Sequence, residues 1–289
     1  MHYSGSVYRP PSEAYSLIVQ CTLGCSHNKC AFCIMYKDKQ FSINPVEQVL
    51  GDLAEARRLY HRIERIFLAD GDALILPMDY LLRVLDFIRE VFPECERVSA
   101  YASTKALMRK TDEELETLRK RGLQMIYVGL ESGNEALLKK YMKGVTAEEI
   151  IEHSLRAKAA GMTLSITAIN GMGGREQSEI HAVDTAAALS RIKADYVAML
   201  TLRVYTGTPL HDWIERGELT MLDPLELAAE NRILLQHIDS EGSVFRSNHA
   251  SNYLPLKGTL NRDREALIAQ IDKALAGEVR FRRAVELGL

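Results

Sequence analysis

Four of the five cysteines in this 289-residue chain lie between Cys21 and Cys33. They follow an apolar run, residues 16–20, that predicts a short strand. The N-terminus lacks a charged-then-apolar targeting pattern, and cysteines this close in such a chain favour a metal or iron–sulfur site over disulfides. Four thiolates would suit a tetrahedral zinc ion, with His27 as a substitute ligand. Three thiolates would leave one iron of a four-iron cluster open to another ligand.

Cys25, Cys30 and Cys33, with the aromatic Phe32 before the last of them, resemble the cluster loop of the radical S-adenosylmethionine (SAM) superfamily. The usual family spacing is Cys-x3-Cys-x2-Cys, whereas this chain has Cys-x4-Cys-x2-Cys, so its motif is a variant. The resemblance implies that the three thiolates hold a [4Fe–4S] cluster. It also implies that the free iron binds the amino and carboxylate groups of SAM and that Phe32 belongs to the cofactor site.

Two other interpretations of the cysteines stay open. A zinc-binding scaffold would use all four cysteines of the loop as ligands. An electron-transfer protein is the second, although the bacterial Cys-x2-Cys-x2-Cys run is missing. Under the radical SAM interpretation, Cys21 is a core thiol at a strand end and Cys95 is a second core thiol.

The composition indicates a globular protein, because 47% of the residues are hydrophobic and 26% are charged. No apolar run approaches a transmembrane length, so we expect a cytoplasmic protein without membrane association. The net charge of −3 gives no general attraction to nucleic acid. The basic run at residues 280–283 is therefore interpreted as a solvated helix face.

Apolar stretches alternate with amphipathic helical patterns along most of the chain. Strands are predicted at residues 16–20, 65–69, 97–102, 124–130, 164–169 and 195–202. Helices are predicted between them, two of which open with capping boxes at Thr111 and Thr146. Such units form parallel sheets with right-handed crossovers. We therefore predict an α/β fold, the partial (β/α)6 TIM-like barrel that the resemblance also implies.

The pattern changes after Leu210. A helix over residues 224–238, a polar strand over 243–252 and a last helix over 264–275 are predicted there. We expect residues 1–210 to form the barrel core. Residues 211–289 are expected to form a C-terminal extension packed on the same domain.

Barrels of this kind place catalytic groups where strands end. Asp70, Gly71 and Asp72 follow the second predicted strand, where the family has a Gly-Gly-Glu motif whose backbone holds the amino group of SAM. Gly71 permits close backbone approach, and the flanking carboxylates suit an ammonium group. An ordinary Asp-Gly turn is the alternative.

Glu131 ends the fourth predicted strand within a segment similar to the Gly-x-Glu-Ser-Gly of the coproporphyrinogen oxidase and elongator-subunit branch. The resemblance implies that Glu131 contacts SAM; a helix-capping carboxylate is the alternative. Ser103, at the end of the third strand, and Arg156, before the fifth, are further candidate SAM contacts. An N-cap and an exposed helical arginine are their alternatives.

The remaining candidates follow the last two core strands. Gly173 lies in residues 170–176, which resemble the family's glycine-rich turn beside the adenine of SAM. Arg203 and Tyr205 precede a Thr-Gly-Thr-Pro-Leu segment close to one in the same branch. His249 lies in the polar segment 245–253, where an imidazole could donate or accept a proton. Arg203, Tyr205 and His249 are the predicted catalytic residues, and a solvent-exposed edge is the alternative for the His249 segment.

The resemblance implies reductive cleavage of SAM to methionine and a 5′-deoxyadenosyl radical, which abstracts hydrogen from a substrate. It implies an external one-electron donor of flavodoxin or ferredoxin type. We expect a small-molecule substrate, with a nucleic-acid-modifying enzyme as the alternative. The sequence does not identify the substrate.

Overall fold

The computed structural model describes residues 1–287, which contain ten strands and ten α-helices. The strands are β1 (Leu17–Gln20), β2 (Thr22–Leu23), β3 (Ser42–Ile43), β4 (Arg65–Ala69), β5 (Arg97–Tyr101), β6 (Leu123–Glu131), β7 (Thr163–Asn170), β8 (Tyr196–Thr201), β9 (Val244–Ser247) and β10 (Leu256–Thr259). The helices are α1 (Val46–Leu59), α2 (Met78–Val91), α3 (Thr104–Met108), α4 (Asp112–Lys120), α5 (Glu135–Lys140), α6 (Ala147–Ala159), α7 (Ser178–Ile192), α8 (Pro209–Glu215), α9 (Pro224–His237) and α10 (Arg264–Leu275).

The chain falls into two compact units. The first unit comprises Met1–Asn28, Cys33–Val128 and Glu152–Leu164. The second comprises Lys29–Phe32, Gly129–Ile151 and the chain from Ser165 onward. The expected boundary at Leu210 remains a prediction.

In the first unit, β1, β4, β5 and the start of β6 pair in parallel. Ile66 of β4 stands opposite Leu17 of β1 on one side and Val98 of β5 on the other. An aromatic cluster that includes Phe67 and Tyr127 is buried on this sheet. Helices α1 and α2 pack together beside it. Short apolar strands with helices between them therefore form the expected parallel βαβ units.

In the second unit, β7 pairs in parallel with β8, and β8 pairs in parallel with β9. Strand β10 is antiparallel to β9. Helix α9 packs on both α7 and α10. The C-terminal residues thus extend the parallel pattern by one strand and close it with an antiparallel one.

The six predicted core strands and the helices between them are confirmed, mostly within one or two residues of their expected bounds. The predicted strand over residues 243–252 is wrong in length, since β9 ends at Ser247. Beyond it, the side chain of Asn252 donates hydrogen bonds to Ser247 Oγ and to the Met199 carbonyl, and Ser251 Oγ accepts from Thr201 N, so these residues bond through their side chains instead of continuing the strand. Within residues 1–287, none of the helices has the length and apolar character needed to span a bilayer.

Candidate cofactor site

The turn after β4 lies against the cysteine loop within the first unit. The Gly71 N–H donates a hydrogen bond to the Gly24 carbonyl at 3.1 Å. A Cβ atom added at Gly71 would fall 2.6 Å from Cε2 of Tyr36 and 3.1 Å from Cβ of Cys25. Only glycine fits this position without a shift of its neighbours. Gly71 therefore brings the backbone of the turn beside the first predicted cluster ligand.

Asp70 is fully buried and ties this turn to β1 and to the cysteine loop. Its Oδ2 accepts hydrogen bonds from Gln20 Nε2 at 2.9 Å, Gly24 N at 3.1 Å and Lys39 Nζ at 2.9 Å. A buried carboxylate needs such donors to offset its desolvation. Its Oδ1 has no hydrogen-bond partner among residues 1–287. One acceptor atom at the turn is thus left for a donor from outside the chain.

Asp72 joins the cysteine loop to the end of β5. Its carboxylate accepts hydrogen bonds from the Ser26 hydroxyl, from Ser103 N at 2.9 Å and from Ser103 Oγ at 2.7 Å. Burial raises the pKa of Asp72, and the hydrogen bonds from Ser26 and Ser103 oppose this rise. Ser103 Oγ also accepts from Ala106 N at 3.0 Å, so Ser103 is the N-cap of α3. Its contact with SAM remains a prediction.

Arg156 lies on α6 and contacts the α3–α4 region. Its Nε donates to Asp112 Oδ1 at 2.6 Å, and one Nη donates to the Lys110 carbonyl at 2.7 Å. The other Nη lies 2.8 Å from His153 Nδ1. All three guanidinium nitrogens of Arg156 thus have partners within the first unit. The role of Arg156 as a SAM ligand remains a prediction.

The cysteines differ in exposure. Cys25, Cys30 and Cys33 are partly exposed, whereas Cys21 is fully buried. Desolvation raises the pKa of the Cys21 thiol to about 12, so the thiolate that a metal requires is disfavoured there. Burial also raises the pKa of Cys95. The environment of Cys21 supports it as a core thiol, whereas Cys95 is partly exposed and its place in the core remains a prediction.

In the part of the chain that the structure describes, no three His, Cys, Asp or Glu side chains are grouped to hold one metal ion. The cysteine ligands of a four-iron cluster bind separate iron atoms, so they need not converge on one point. Three partly exposed thiols in one short loop fit such a cluster chemically. The assignment of Cys25, Cys30 and Cys33 remains a prediction.

In the second unit, Glu131 ends β6 with a left-handed backbone, φ +64°. Its Oε1 accepts from Lys143 Nζ at 2.9 Å, and both side chains are mostly buried. Helix α5 is capped by Asn134, whose side chain accepts from Leu137 N at 3.0 Å. Glu131 is therefore not the helix cap, and the capping alternative is wrong. Contact of Glu131 with SAM remains a prediction.

Behind Glu131, the buried His181 of α7 links the ends of β6 and β7. Its Nε2 lies 3.0 Å from the Ile169 carbonyl, which can only accept, so Nε2 carries the proton. In the neutral ring, Nδ1 then accepts from the Ser132 hydroxyl at 2.9 Å. Ser132 Oγ in turn accepts from Asn134 N at 3.0 Å. His181 thereby fixes the turn that follows Glu131.

The glycine-rich turn after β7 is tightly enclosed. A Cβ at Gly173 would lie 2.5 Å from the Gln177 carbonyl oxygen, and Gly171 has φ +87°. The Gly171 N–H donates to Glu230 Oε1 at 2.6 Å. Burial raises the pKa of Glu230, which is 1% exposed. Asn170, also buried, has an Nδ2 donor without a partner among the described residues.

Arg203 and Tyr205 lie in the irregular segment between β8 and α8 and are partly exposed. The Tyr205 carbonyl accepts from both the backbone and the hydroxyl of Thr208, which caps α8. This capping turn fixes the backbone around Tyr205. The structure gives neither predicted side chain a substrate contact, and their catalytic roles remain predictions.

His249 lies in the turn after β9. Its Nδ1 accepts from Ser251 N at 3.1 Å, so the neutral ring carries its proton on Nε2. Burial lowers the pKa of His249, which favours that neutral form. Ser251 and Asn252 hydrogen-bond to Thr201, the last residue of β8. The His249 turn is therefore held at the C-terminal end of β8, where barrels of this kind place catalytic groups.

Several residues that organise these turns escape sequence reasoning. They are Gln20, Ser26, Lys39, Lys143, His181 and Glu230. The signal for the last two is a polar residue at a core-facing helical position. His181 stands one turn before the buried Thr185, and Glu230 one turn before the buried Leu234.

Comparison with known proteins agrees with this geometry. The radical SAM superfamily profile matches residues 19–189, more than half of the chain. An uncharacterized methyltransferase of Pyrococcus horikoshii is 24% identical over 250 residues, which cover 82% of this chain and 51% of that protein. The chain thus spans about half the length of this curated relative.

Two solved structures share the fold. Methylornithine synthase has a TM-score of 0.57 at 14% identity, covering 89% of this chain and 68% of its own. Coproporphyrinogen III oxidase from Escherichia coli has a TM-score of 0.51 at 14% identity, covering 80% and 62%. These likenesses confirm the predicted α/β fold of the partial TIM-barrel type. The chain belongs to the radical SAM superfamily, whose enzymes use a [4Fe–4S] cluster and SAM as cofactors.

Proposed function

We propose that this protein binds a [4Fe–4S] cluster through Cys25, Cys30 and Cys33 and cleaves SAM reductively to act on a small-molecule substrate. The observation that carries the proposal is the packing of Gly71 against Cys25 within the first unit. The turn expected to hold the amino group of SAM therefore lies beside the first expected cluster ligand. The family match to residues 19–189 supports the same assignment.

The chain's own groups at the Gly71 turn suit the methionine end of SAM. When bound, the cluster and SAM supply one-electron cleavage and the radical. Asp70 and Asp72 fix the turn through Lys39 and Ser103, so its backbone is held in place before SAM arrives. The unpartnered Asp70 Oδ1 is an acceptor that suits an ammonium donor.

Three further residues are proposed SAM contacts. Glu131 is held by Lys143 at the end of β6, and its carboxylate suits ribose hydroxyls or the SAM ammonium. Ser103 and Arg156 are proposed as weaker contacts, since their polar atoms already have protein partners. The turn that contains Gly173 is proposed to receive the adenine.

On the substrate side, we propose His249, Arg203 and Tyr205. The neutral His249 ring, with its proton on Nε2, can donate that proton or a hydrogen bond to a substrate atom. Arg203 supplies a cation that suits an acidic group, and Tyr205 supplies a phenol. All three lie in segments that follow β8 or β9.

A small molecule is favoured over nucleic acid as substrate by charge. Arg280 and Arg283, the exposed arginines of the basic run, both pair with Glu286. The net charge of −3 adds no general attraction to a phosphate backbone. An external one-electron donor and a cytoplasmic location remain part of the proposal.

Anaerobic reconstitution with iron and sulfide, followed by addition of SAM and dithionite, tests this function. We expect about four irons per chain, a broad visible absorbance and slow formation of 5′-deoxyadenosine. The same protein with Cys25, Cys30 and Cys33 all changed to Ala is the control and should form none. A colourless protein that takes up one zinc ion would contradict the proposal.

A further inference from the structure

The glycine-rich turn, residues 171–175, is held by the C-terminal residues 219–230 of the same unit. Gly171 N–H donates to Glu230, and Arg175 N–H donates to the Thr220 carbonyl at 3.1 Å. The Arg175 guanidinium pairs with Glu226 at 2.7 Å. The family profile ends at residue 189, before all three of these partners. Parts of the chain outside the matched core therefore set the conformation of this turn.

Glu230 is the buried member of this set. Its Oε1 accepts from Gly171 N, and its Oε2 accepts from Ser178 Oγ at 2.6 Å. The Nε2 of His181 lies 3.8 Å from Oε1. One carboxylate thus joins the turn, the start of α7 and, at a longer distance, the histidine that fixes the turn after Glu131.

Loss of the carboxylate would leave the turn without its main anchor. Gly171 is buried, so its N–H would have neither Glu230 nor water as an acceptor. Gly171 has φ +87°, and glycine also populates other backbone conformations. Without the hydrogen bond to Glu230, this residue would sample them. The fraction of molecules with the turn in its present shape would therefore fall.

The residue next to the turn has a donor without a protein partner within residues 1–287. Asn170, the residue before Gly171, is 1% exposed, and its Nδ2 has no acceptor among the described residues. Buried amide donors are normally paired. A ligand with an acceptor atom at the turn would complete this site.

We infer that Glu230 is a positioning residue for SAM: its carboxylate holds the glycine-rich turn in the shape that receives the adenosyl part of the cofactor. This inference rests on the proposed function. It gives the C-terminal extension a part in cofactor binding, separate from cluster ligation.

Three variants separate this role from a merely structural one. Glu230→Met keeps the volume and removes both acceptors. Glu230→Gln keeps one oxygen for Gly171 N–H, while its amide can donate to Ser178, whose hydroxyl can accept. Asn231→Ala is the matched control, because Asn231 is the next residue of α9 and is also buried. Among residues 1–287 its side chain bonds only within its own helix, to the Leu227 carbonyl.

The first measurement is amide hydrogen exchange of a peptide that covers residues 168–178, on unloaded protein. Glu230→Met should speed exchange at least tenfold, while Glu230→Gln and Asn231→Ala should stay within about threefold of the parent. The second measurement is SAM affinity of the reconstituted, unreduced enzyme by calorimetry. The Kd should rise about tenfold in Glu230→Met, because fewer molecules have the competent turn, and less than threefold in the other two.

Equal Kd values in the parent and in Glu230→Met would overturn the inference alone. Equal weakening in Glu230→Met and Asn231→Ala would overturn it too, since general destabilisation would then explain the loss. A cluster-loaded parent that fails to bind SAM would overturn the proposed function together with the inference.

Discussion

Two strand-end turns of this protein are buried to a similar degree but are held in different ways. The turn at Asp70–Asp72 uses its own carboxylates, which bond to Lys39, Ser26 and Ser103. The turn at Gly171–Gly174 has no acidic residue of its own and receives one, Glu230, from far along the chain. The first is organised by residues inside the matched family region, and the second by residues beyond it.

The difference separates two tasks. The Asp70 turn lies beside the cysteine loop, where we propose that the cluster binds. The glycine-rich turn depends on Glu230, which lies in the extension and beyond the matched family region. We therefore expect damage to the first turn to remove the cluster, and damage to the second to affect SAM while leaving iron in place.

The largest effect, loss of the cluster, is expected from changes to the cysteines of the loop beside the Asp70 turn. Changing Cys25, Cys30 or Cys33 to Ala should abolish the reconstituted chromophore, because only three thiolates hold the cluster. Cys21→Ala should retain it, since that thiol is buried and its thiolate is disfavoured. Iron content and visible absorbance check this. Loss of iron in Cys21→Ala with retention in Cys25→Ala would contradict the assignment.

Glycine-to-alanine changes compare the two turns directly. Gly173→Ala meets a backbone carbonyl 2.5 Å away, whereas Gly71→Ala meets the Tyr36 ring at 2.6 Å. We expect each to destabilise by about 1–3 kcal/mol, with iron lost only in Gly71→Ala and SAM affinity lost in Gly173→Ala. Tyr36→Leu should restore part of the iron in Gly71→Ala, because the shorter side chain leaves room for the new methyl group.

The control for both is Gly51→Ala, since nothing lies within 4 Å of a Cβ built there on α1. This change should stabilise the fold by up to about 1 kcal/mol. Thermal unfolding and iron analysis on the same samples separate the outcomes. Iron loss in both Gly71→Ala and Gly173→Ala would show that cluster binding and SAM binding are not separated between the two turns.

A moderate effect is expected at Glu131, which lies in the second unit but before the extension. Glu131→Ala should keep its iron and raise the Kd for SAM, because charge-assisted hydrogen bonds contribute about 1.5–3 kcal/mol. Calorimetry on the unreduced enzyme checks this. Lys143→Ala is the companion variant, because it removes the ammonium that donates to Glu131 Oε1 at 2.9 Å but keeps the carboxylate. It should weaken SAM binding less than Glu131→Ala does. An unchanged Kd in Glu131→Ala would remove this residue from the SAM site.

The smallest effect concerns His249 and pH. Burial lowers its pKa in the folded protein, so protonation favours the unfolded chain. Its contribution to stability is full above the unfolded pKa of about 6.5 and falls as the pH drops through and below that value. His249→Gln should therefore lose less unfolding free energy than the parent between pH 7 and pH 5, as followed by urea unfolding. Parallel pH curves for the two proteins would argue against a buried neutral imidazole.

Much of the fold was predictable because apolar runs and caps are local. Thr111 with Glu114 forms the expected capping box, and the core strands occur where apolar runs predicted them. The positions of the turns after β4 and β7 were also predictable, because the glycines that mark them in the sequence are required there. A Cβ at Gly71 or Gly173 would clash with a neighbouring atom.

The partners of those motifs were not predictable, because they come from distant parts of the chain. Nothing near Lys39 in sequence reveals that its ammonium pairs with Asp70, and nothing near Glu230 reveals Gly171. The early end of β9 was not predicted either, since the side-chain hydrogen bonds of Asn252 to Met199 and Ser247 exist only once the chain has folded. Long-range polar pairing leaves little periodic signal for a sequence to show.

Cys21 is buried, whereas the other three thiols of the same loop are partly exposed, and this difference determines which loop thiols oxygen can oxidise. Disulfide exchange proceeds through a thiolate that can reach its target. Cys21 meets neither condition, so within this loop oxidation after loss of the proposed cluster is confined to three thiols, an odd number; Cys95 is also partly exposed but lies outside the loop. One disulfide within the loop would leave one thiol over, which is then available to glutathione or to a second molecule. We therefore expect aerobically purified protein to carry mixed disulfides or cross-linked dimers that a reductant reverses, with Cys21 reduced throughout.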